Sequence, residues 1–223
     1  VTYKSPSFAG FNVYAQYSFD TDTKDQGDNH GDEGKTTVNR YAALGATYKA
    51  GPLDLVAIVD TTNYSTTVYG KDVDDSITVT FGGSYDFEVV KAYFGAQYFK
   101  DTNLSAIDQY DFDSIDGITS AGEGFGVTIG ASAPVFGGTA MLAAGYMQAD
   151  VDNWNAAGGN FDVASANIEI SRWGIGAGYD YFLSKRTDVY TVLSYMEQEC
   201  KSDNTETLKP NALEFGIGLR HRF

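Results

Sequence analysis

The acidic run that begins at residue 111 is the closest approach in this sequence to a metal-binding loop. Asp111, Asp113 and Asp116 precede Gly117, a composition typical of calcium loops because this hard cation prefers carboxylate oxygens. The spacing departs from the EF-hand pattern, and Gly122 stands where the final glutamate of that pattern belongs. A solvated acidic loop is the better interpretation, with weak divalent binding as the open alternative, and no metal site is predicted.

Two series of alternate glycines have some likeness to phosphate-binding loops. They are Gly122-x-Gly124-x-Gly126 and Gly174-x-Gly176-x-Gly178. A nucleotide-binding loop needs a different offset for its third glycine and opens a helix. A spacing of two instead places all three glycines on one face of a β-strand. We therefore interpret both series as strand residues and predict no cofactor.

Three further side chains could carry chemistry by type. His30 lies in the polar segment Asp20–Thr37, where a solvated role is expected, and His221 lies near the C-terminal end, where an interfacial role is expected. Cys200 is the single cysteine and falls in the polar stretch Glu197–Asn211, which predicts an unpaired loop thiol. Cys-x-x-Cys, His-Glu-x-x-His and Gly-x-Ser-x-Gly motifs are absent from the sequence. No catalytic residue and no enzyme activity are predicted.

Composition narrows the class of protein. The chain has 223 residues, enough for one domain, and a net charge of −15 that argues against nucleic acid as a partner. It contains 16 Tyr and 14 Phe. No apolar run reaches the roughly 18 residues that a membrane-spanning helix needs, although spanning strands are shorter and alternate.

A period of two is the clearest pattern along the chain. In Leu213–Phe223 the odd positions are apolar or aromatic, apart from His221, and the even positions are glycine or charged. The same alternation runs through Phe11–Phe19, Phe125–Ala133 and Ile175–Tyr181. The pattern predicts strands with one apolar and one polar face. The facing of residues 53–64 and 188–197 stays open because their alternation is blurred.

The connections between these strands alternate in length. Short turns are predicted at Lys4–Ala9, Ala50–Pro52, Asp86-Phe87, Pro134–Gly137 and Ser184–Thr187, and long polar loops at Asp20–Thr37, Ser65–Asp75, Asp101–Gly122, Asp150–Ala166 and Gln198–Asn211. Outer-membrane barrels have short turns at one end and long loops at the other, whereas a soluble sandwich has no reason for this order. The sequence therefore predicts an all-β fold, a transmembrane antiparallel up-and-down β-barrel.

In such a barrel the polar face lines water and the apolar face meets lipid. Pore-lining positions are predicted at Asn12, Gln16, Lys91, Gln97, Thr128, Arg172, Glu214 and Arg220. Membrane-interface positions are predicted at Tyr17, Tyr98, Tyr146, Trp173, Tyr181 and Phe223.

Three stretches carry a resemblance to a known family. They are Val1–Phe11, Gly178–Thr187 with its Leu-Ser-Lys-Arg-Thr turn, and Gly216–Phe223 with its terminal Phe. Together they resemble the general porins of Gram-negative outer membranes. The resemblance implies a 16-stranded homotrimeric pore embedded in outer-membrane lipid, passing small solutes and ions. It also implies that the barrel assembly machinery recognises the C-terminal strand.

The chain departs from this family in its strand count. Ten full strands and the tail of an earlier one are predicted, and the turn at Tyr3–Pro6 resembles the one between the family's sixth and seventh strands. Residues 1–223 are therefore expected to form the C-terminal portion of one porin β-barrel domain. The barrel is expected to be incomplete in this chain, with the N-terminal strands and the constriction loop absent.

The function implied is passive diffusion of ions and small hydrophilic solutes through a water-filled channel. Crowded acidic loops predict a modest cation preference, unless Lys91, Arg172 and Arg220 dominate. One alternative is a plugged structural or adhesive outer-membrane barrel that binds partners through its external loops. Another is a soluble β-sandwich binding module.

Overall fold

A computed structural model describes residues 1–21, 38–64, 74–103, 121–154, 166–202 and 205–222. The regular structure in these residues consists of twelve β-strands. They are β1 (Thr2–Lys4), β2 (Phe11–Ser18), β3 (Arg40–Ala50), β4 (Leu53–Asn63), β5 (Ser76–Asp86), β6 (Lys91–Asn103), β7 (Ala121–Val135), β8 (Gly138–Trp154), β9 (Ala166–Phe182), β10 (Thr187–Ser202), β11 (Thr205–Leu208) and β12 (Asn211–His221). In the same residues there is no helix long and apolar enough to cross a membrane.

All twelve strands belong to one antiparallel sheet. From β1 to β10 each strand pairs with the next one along the chain, and β10 then pairs with both β11 and β12. This order is an up-and-down meander, as the alternating sequence predicts. A β-sandwich needs two packed sheets, and the strands in the described ranges form a single one.

The last two strands share one side of β10. β11 pairs with the end of β10 at Cys200 and Ser202, and β12 pairs with the residues from Thr187 to Glu197. Lys209-Pro210 separates the two strands, as expected where proline removes a donor from the ladder. β11 and β12 therefore act as one interrupted strand, and the described sheet has ten full-length strands after the short β1.

The register keeps the two faces of the sheet separate from strand to strand. One cross-strand row contains Phe94, Ile129, Ala144, Ile175, Tyr195 and Leu213. The next row contains Gly95, Thr128, Gly145, Gly174, Met196 and Ala212. We call the side of the first row the apolar face and the side of the second row the polar face. The pairing also assigns Val59 of β4 and Leu193 of β10 to the apolar face, which the sequence had left open.

Five short turns lie together at one end of the sheet, which we call the hairpin end. Phe136 and Gly137 both have positive φ, +48° and +82°, as a two-residue type I′ turn requires. Gly51 has φ of +55° and precedes Pro52 in another two-residue turn. The turn after β5 is held by the Asp86 carboxylate, which accepts a hydrogen bond from the Glu88 amide at 2.8 Å. The opposite end, where the longer connections fall, is the long-loop end.

Three strands extend further toward the long-loop end than the sequence indicates. β6 reaches Asn103, β8 reaches Trp154 and β10 reaches Ser202. The prediction of a loop at Cys200 is therefore wrong, because Cys200 pairs with Ile170 of β9 and is only 7% exposed. Its thiol is free, as predicted. Cross-strand pairing extends these strands through polar sequence that carries no clear alternation.

The φ of +86° at Gly10 yields a prediction about the first full hairpin. A Cβ at this position would lie 2.3 Å from the Lys49 carbonyl oxygen of the neighbouring strand. Gly10→Ala should therefore lower the free energy of unfolding by roughly 2–4 kcal/mol, through clash and strain together. Denaturant titration of the protein in lipid vesicles, followed by tryptophan fluorescence, measures this change.

Gly51→Ala is the matched control for Gly10→Ala. Gly51 also has positive φ, but a Cβ there would meet no atom within 4 Å. This variant should lose only about 1 kcal/mol, from backbone strain alone. Equal losses for the two variants would contradict the close approach of β3 to Gly10.

Candidate functional site

Three cavities lie along the polar face. They have volumes of about 540, 320 and 350 Å³. The cavities of about 540 and 320 Å³ lie on β5–β12 and are lined by polar-face residues such as Thr128, Gly174 and Ser194. The cavity of about 350 Å³ lies on β1–β4 and is lined by residues such as Gln16 and Thr47. Cavities form on the inward-curving side of a sheet. The polar face is therefore the interior side, and most of the exposed large apolar side chains project from the exterior.

All eight residues predicted to line a pore share this interior side. The register places Asn12, Gln16, Lys91, Gln97, Thr128, Arg172, Glu214 and Arg220 on the polar face. They come from β2, β6, β7, β9 and β12 and so are spread over the sheet rather than gathered at one point. Their role in lining water stays a prediction, since the geometry gives only their facing.

Small and hydroxyl side chains dominate the middle of the polar face. Gln97 donates a hydrogen bond from Nε2 to Thr80 Oγ1 across β5 and β6, at 3.0 Å. Beside this pair, Gly126 and Gly145 flank Thr128 and add no side chain. Such a surface presents donors and acceptors to water and has little to pack into a dry core. It is suited to a wet interior.

Arg172 is held in place by a neighbouring amide. Its Nε donates to Gln198 Oε1 at 2.9 Å, and its Nη2 contacts the same oxygen. Gln198 is buried and in turn donates from Nε2 to Cys200 Sγ at 3.1 Å. Two donors on one acceptor fix the plane of the guanidinium. The interior wall therefore presents an oriented positive group on β9.

Arg220 makes a different arrangement at the hairpin end. Its Nη2 lies 2.7 Å from Asp188 Oδ2 and 2.9 Å from Asp180 Oδ2, so it bridges carboxylates on β10 and β9. Asp188 is only 2% exposed, and Arg222 Nη2 is 3.8 Å away from it. A buried carboxylate needs such partners because desolvation is costly. This cluster ties β12 to β9 across β10 and leaves little net charge.

The apolar face carries aromatic side chains near both ends of its strands. Tyr17, Tyr98, Tyr146 and Trp173 lie toward the long-loop end and Tyr181 toward the hairpin end, each with about two fifths of its surface exposed. Trp173 and Tyr181 are about 26 Å apart along β9, or about 20 Å along a barrel axis if the strand tilts by roughly 40°. This height is close to that of the apolar band of an outer-membrane barrel, about 25 Å.

On the same face, charged residues replace apolar ones beyond the aromatic residues at the long-loop end. The Tyr98 hydroxyl donates to Glu123, and the Tyr195 hydroxyl donates to Glu197 at 3.1 Å. Gln148 likewise donates to Glu169 at 3.4 Å. Aromatic rings with a polar end prefer a boundary between apolar and aqueous surroundings. These pairs mark where the apolar band stops.

The polar face also carries an apolar cluster that the sequence pattern did not predict. It consists of Phe99, Ala149, Ile168, Ile170 and Cys200, and lies at the long-loop end of β6 and β8–β10. Ile170 is 1% exposed and Ala149 is fully buried. The sequence contains a sign of this cluster in Ile168 and Ile170 of β9, because alternate residues of a strand share one face and these two share the face of Arg172. The interior wall is therefore not uniformly polar.

Some candidate residues lie outside the described ranges. They are His30, Phe223 and residues 111–120 of the acidic run. His221 is described and faces the apolar side, where its Nδ1 lies 2.9 Å from Thr187 Oγ1. Within the described residues no group of three or more His, Cys, Asp or Glu side chains could hold a metal ion.

Comparison with known proteins gives consistent matches. Residues 1–201 match the family model of the Gram-negative porins. An outer-membrane porin protein of Bordetella pertussis is 30% identical over 237 residues, covering 100% of this chain and 57% of the relative. Among solved structures, an anion-selective porin from Comamonas acidovorans superposes with a TM-score of 0.61 at 22% identity, covering 100% of this chain and 58% of that one. A second porin structure gives a TM-score of 0.50 at 15% identity, with 100% and 60% covered. The chain thus spans a little over half the length of these relatives.

The separation of faces predicts opposite effects for neighbouring residues of β7. Ile129 is 65% exposed on the apolar face, and Thr128 beside it lines two cavities of the polar face. Ile129→Arg should impair folding into bilayers by roughly 2–4 kcal/mol, because it buries a charge in hydrocarbon. Thr128→Arg should fold normally, because its charge would lie on the polar interior wall and not in hydrocarbon. Folding yields into lipid vesicles measure both, and equal defects would contradict the two-faced sheet.

Proposed function

Because the chain belongs to the Gram-negative porin family, we propose that it forms the wall of a water-filled channel for passive diffusion of ions and small hydrophilic solutes. The solutes move down their own gradients, so the proposal includes no chemical step and no cofactor. Family members are channels, and the proposal includes no enzyme activity.

One observation carries this proposal. The polar face is on the side of the cavities and is lined at its centre by Gly95, Gly126, Thr128, Gly145 and Gly174. The opposite face exposes large apolar side chains along every full-length strand, with Leu213, Phe215 and Ile217 each about 70% exposed. In water such a surface would aggregate, whereas in a bilayer it is solvated by lipid. The protein accordingly lies in the outer membrane of Gram-negative bacteria.

We also propose that residues 1–223 belong to one β-barrel domain in which further strands close the sheet. In the described ranges, β12 pairs only with β10, and neither it nor β1 pairs across to the other edge of the sheet. Unpaired N–H and C=O groups at these edges would be costly in hydrocarbon. The relatives, which are longer than this chain, have room for such strands.

Two partner proposals follow from the family resemblance. The first is a homotrimer, since general porins assemble in threes. The second is recognition of the C-terminal strand by the barrel assembly machinery, with Leu213, Phe215 and Ile217 as an exposed apolar row on β12. Lipid contacts the apolar face, and the eight polar-face residues and six interface residues named above are proposed to keep their predicted roles.

Charge on the described polar face is nearly balanced. The strand residues with described side chains contribute five basic residues, Lys4, Lys49, Lys91, Arg172 and Arg220, and six acidic ones, Asp54, Asp60, Asp86, Asp180, Asp188 and Glu214. A nearly balanced wall gives no strong selectivity, so the acidic segments outside the described ranges should set a modest cation preference. Anion selectivity belongs to the Comamonas relative by its own description.

Recording from planar bilayers tests the channel and its selectivity. The protein should conduct in potassium chloride, and the reversal potential in a salt gradient should show a modest cation preference that high salt screens. Absence of conductance would instead support the plugged structural or adhesive barrel. A clear anion preference that survives loop deletion would show that the wall, not the mouth, sets selectivity.

Two lysine variants of β6 provide matched controls for this recording. Lys91→Gln removes a polar-face charge, and Lys100→Gln removes a charge with apolar-face parity. Lys91→Gln should increase the cation preference, because a positive group leaves the wall, while Lys100→Gln should change it little. An equal shift for both variants would contradict the assignment of β6 faces.

A further inference from the structure

Two of the polar-face cavities run into each other. Both are lined by Thr128, Gly145, Gly174 and Met196, so their volumes of about 540 and 320 Å³ form one depression. It crosses β5 to β12 along the interior wall. We call this depression the furrow.

The floor of the furrow lacks side chains where nothing forbids them. A Cβ at Gly176 on β9 would meet no atom closer than 3.6 Å, and one at Gly95, further along the furrow on β6, would meet no atom within 4 Å. Neither glycine has the positive φ that would demand this residue. Their glycine identity is therefore not explained by strand packing. Its effect is to expose flat backbone against which an elongated solute can lie.

The furrow has two charged residues of opposite sign in its β9–β12 part. Arg172 lines the first cavity and Glu214 the second. Arg172 pairs with Gln198 of β10, and Glu214 pairs with Ser194 of β10, whose hydroxyl donates to Glu214 Oε2 at 3.3 Å. Two strand spacings and four residues of register place their Cα atoms about 16 Å apart. With both side chains lining the furrow, their charged groups are about 10–14 Å apart.

Between these charges the furrow offers an apolar side chain, Met196 on β10. Met147 lies next to Arg172 on its other side, on β8, and Phe99 lies further away on β6. Thioethers adapt to side chains of different shape. A solute that fits must therefore be elongated, negative at one end, positive at the other and partly apolar between. A simple organic anion uses only the Arg172 end and would meet repulsion from Glu214.

We propose that the furrow is a low-affinity binding site for short zwitterionic peptides on their way through the channel. Three or four residues span about 10–14 Å when extended, which matches the gap between the charges. The C-terminal carboxylate binds Arg172, the N-terminal ammonium binds Glu214, and the peptide side chains contact Met196. This assignment rests on the proposed channel function and specifies one class of its solutes.

Block of the ion current by peptides tests the proposal. The intact protein in planar bilayers is titrated with trialanine, N-acetyl-trialanine and trialanine amide, and the concentration that halves the potassium chloride current is measured. Trialanine should block at about threefold lower concentration than either capped peptide, since each cap removes one charge contact. Equal block by all three peptides would overturn the proposal. Stronger block by N-acetyl-trialanine would indicate a site for organic anions instead.

Two variants test which residue contacts which end of the peptide. Glu214→Gln should weaken block by trialanine about threefold and leave block by N-acetyl-trialanine unchanged. Arg172→Gln should likewise weaken block by trialanine about threefold and should leave block by trialanine amide unchanged, since this peptide lacks the carboxylate that binds Arg172. Because Glu214 is exposed, its variant should fold even if loss of the Arg172 contact to Gln198 disturbs the wall.

Lys49→Gln and Asp54→Asn are the matched controls. They neutralise a cross-strand ion pair, 3.2 Å between Lys49 Nζ and Asp54 Oδ1, on the polar face outside the furrow. Both should retain the preference for trialanine, and its loss in either would overturn the assignment to the furrow. Normal current without peptide discrimination refutes only the peptide site. Absence of current refutes the channel itself and the peptide site with it.

Discussion

Hydrogen bonding of the backbone is the constraint on which the rest of this structure depends. In hydrocarbon there is no water to satisfy an N–H or C=O group, so each must find a partner in the protein. The meander from β2 to β12 provides these partners strand by strand, with registers that run unbroken over most of their length. The same constraint is the reason for our proposal that additional strands pair with the outer edges of β1 and β12.

Once the backbone is paired in this way, the side chains divide by parity. Ile175, Ala177 and Tyr179 project to the exterior, and Gly174, Gly176 and Gly178 face the interior. A slip of one residue would exchange the two rows and place polar groups in lipid. The aromatic pairs at the border of the apolar band, such as Trp173 with Tyr195 at 5.5 Å between ring centroids, then lie where lipid gives way to water.

Most of the fold could be predicted from the sequence because lipid and water impose a period of two. The strands around Phe125–Ala133 and Ile175–Tyr181 alternate cleanly, and Phe136-Gly137 is recognisable as a turn. The upper part of β10 could not be predicted, because its pairing with β9 and β11 rather than its composition determines its length. Ile168 and Ile170 were missed for a related reason, since their apolar side chains occupy polar-face positions. The contact of Arg172 with Gln198 depends on the register between β9 and β10, which local sequence does not specify.

A cysteine scan of β9 tests the two-faced sheet most directly. Single cysteines at positions 173 to 179 are introduced in a Cys200→Ser background, and the protein is reconstituted in lipid vesicles. The account predicts that Gly174→Cys, Gly176→Cys and Gly178→Cys react with a charged, water-soluble thiol reagent. It also predicts that fluorophores at 175, 177 and 179 are quenched by quenchers attached to lipid chains. Uniform reactivity along β9, or the reverse parity, would contradict a wall with lipid on one face and water on the other.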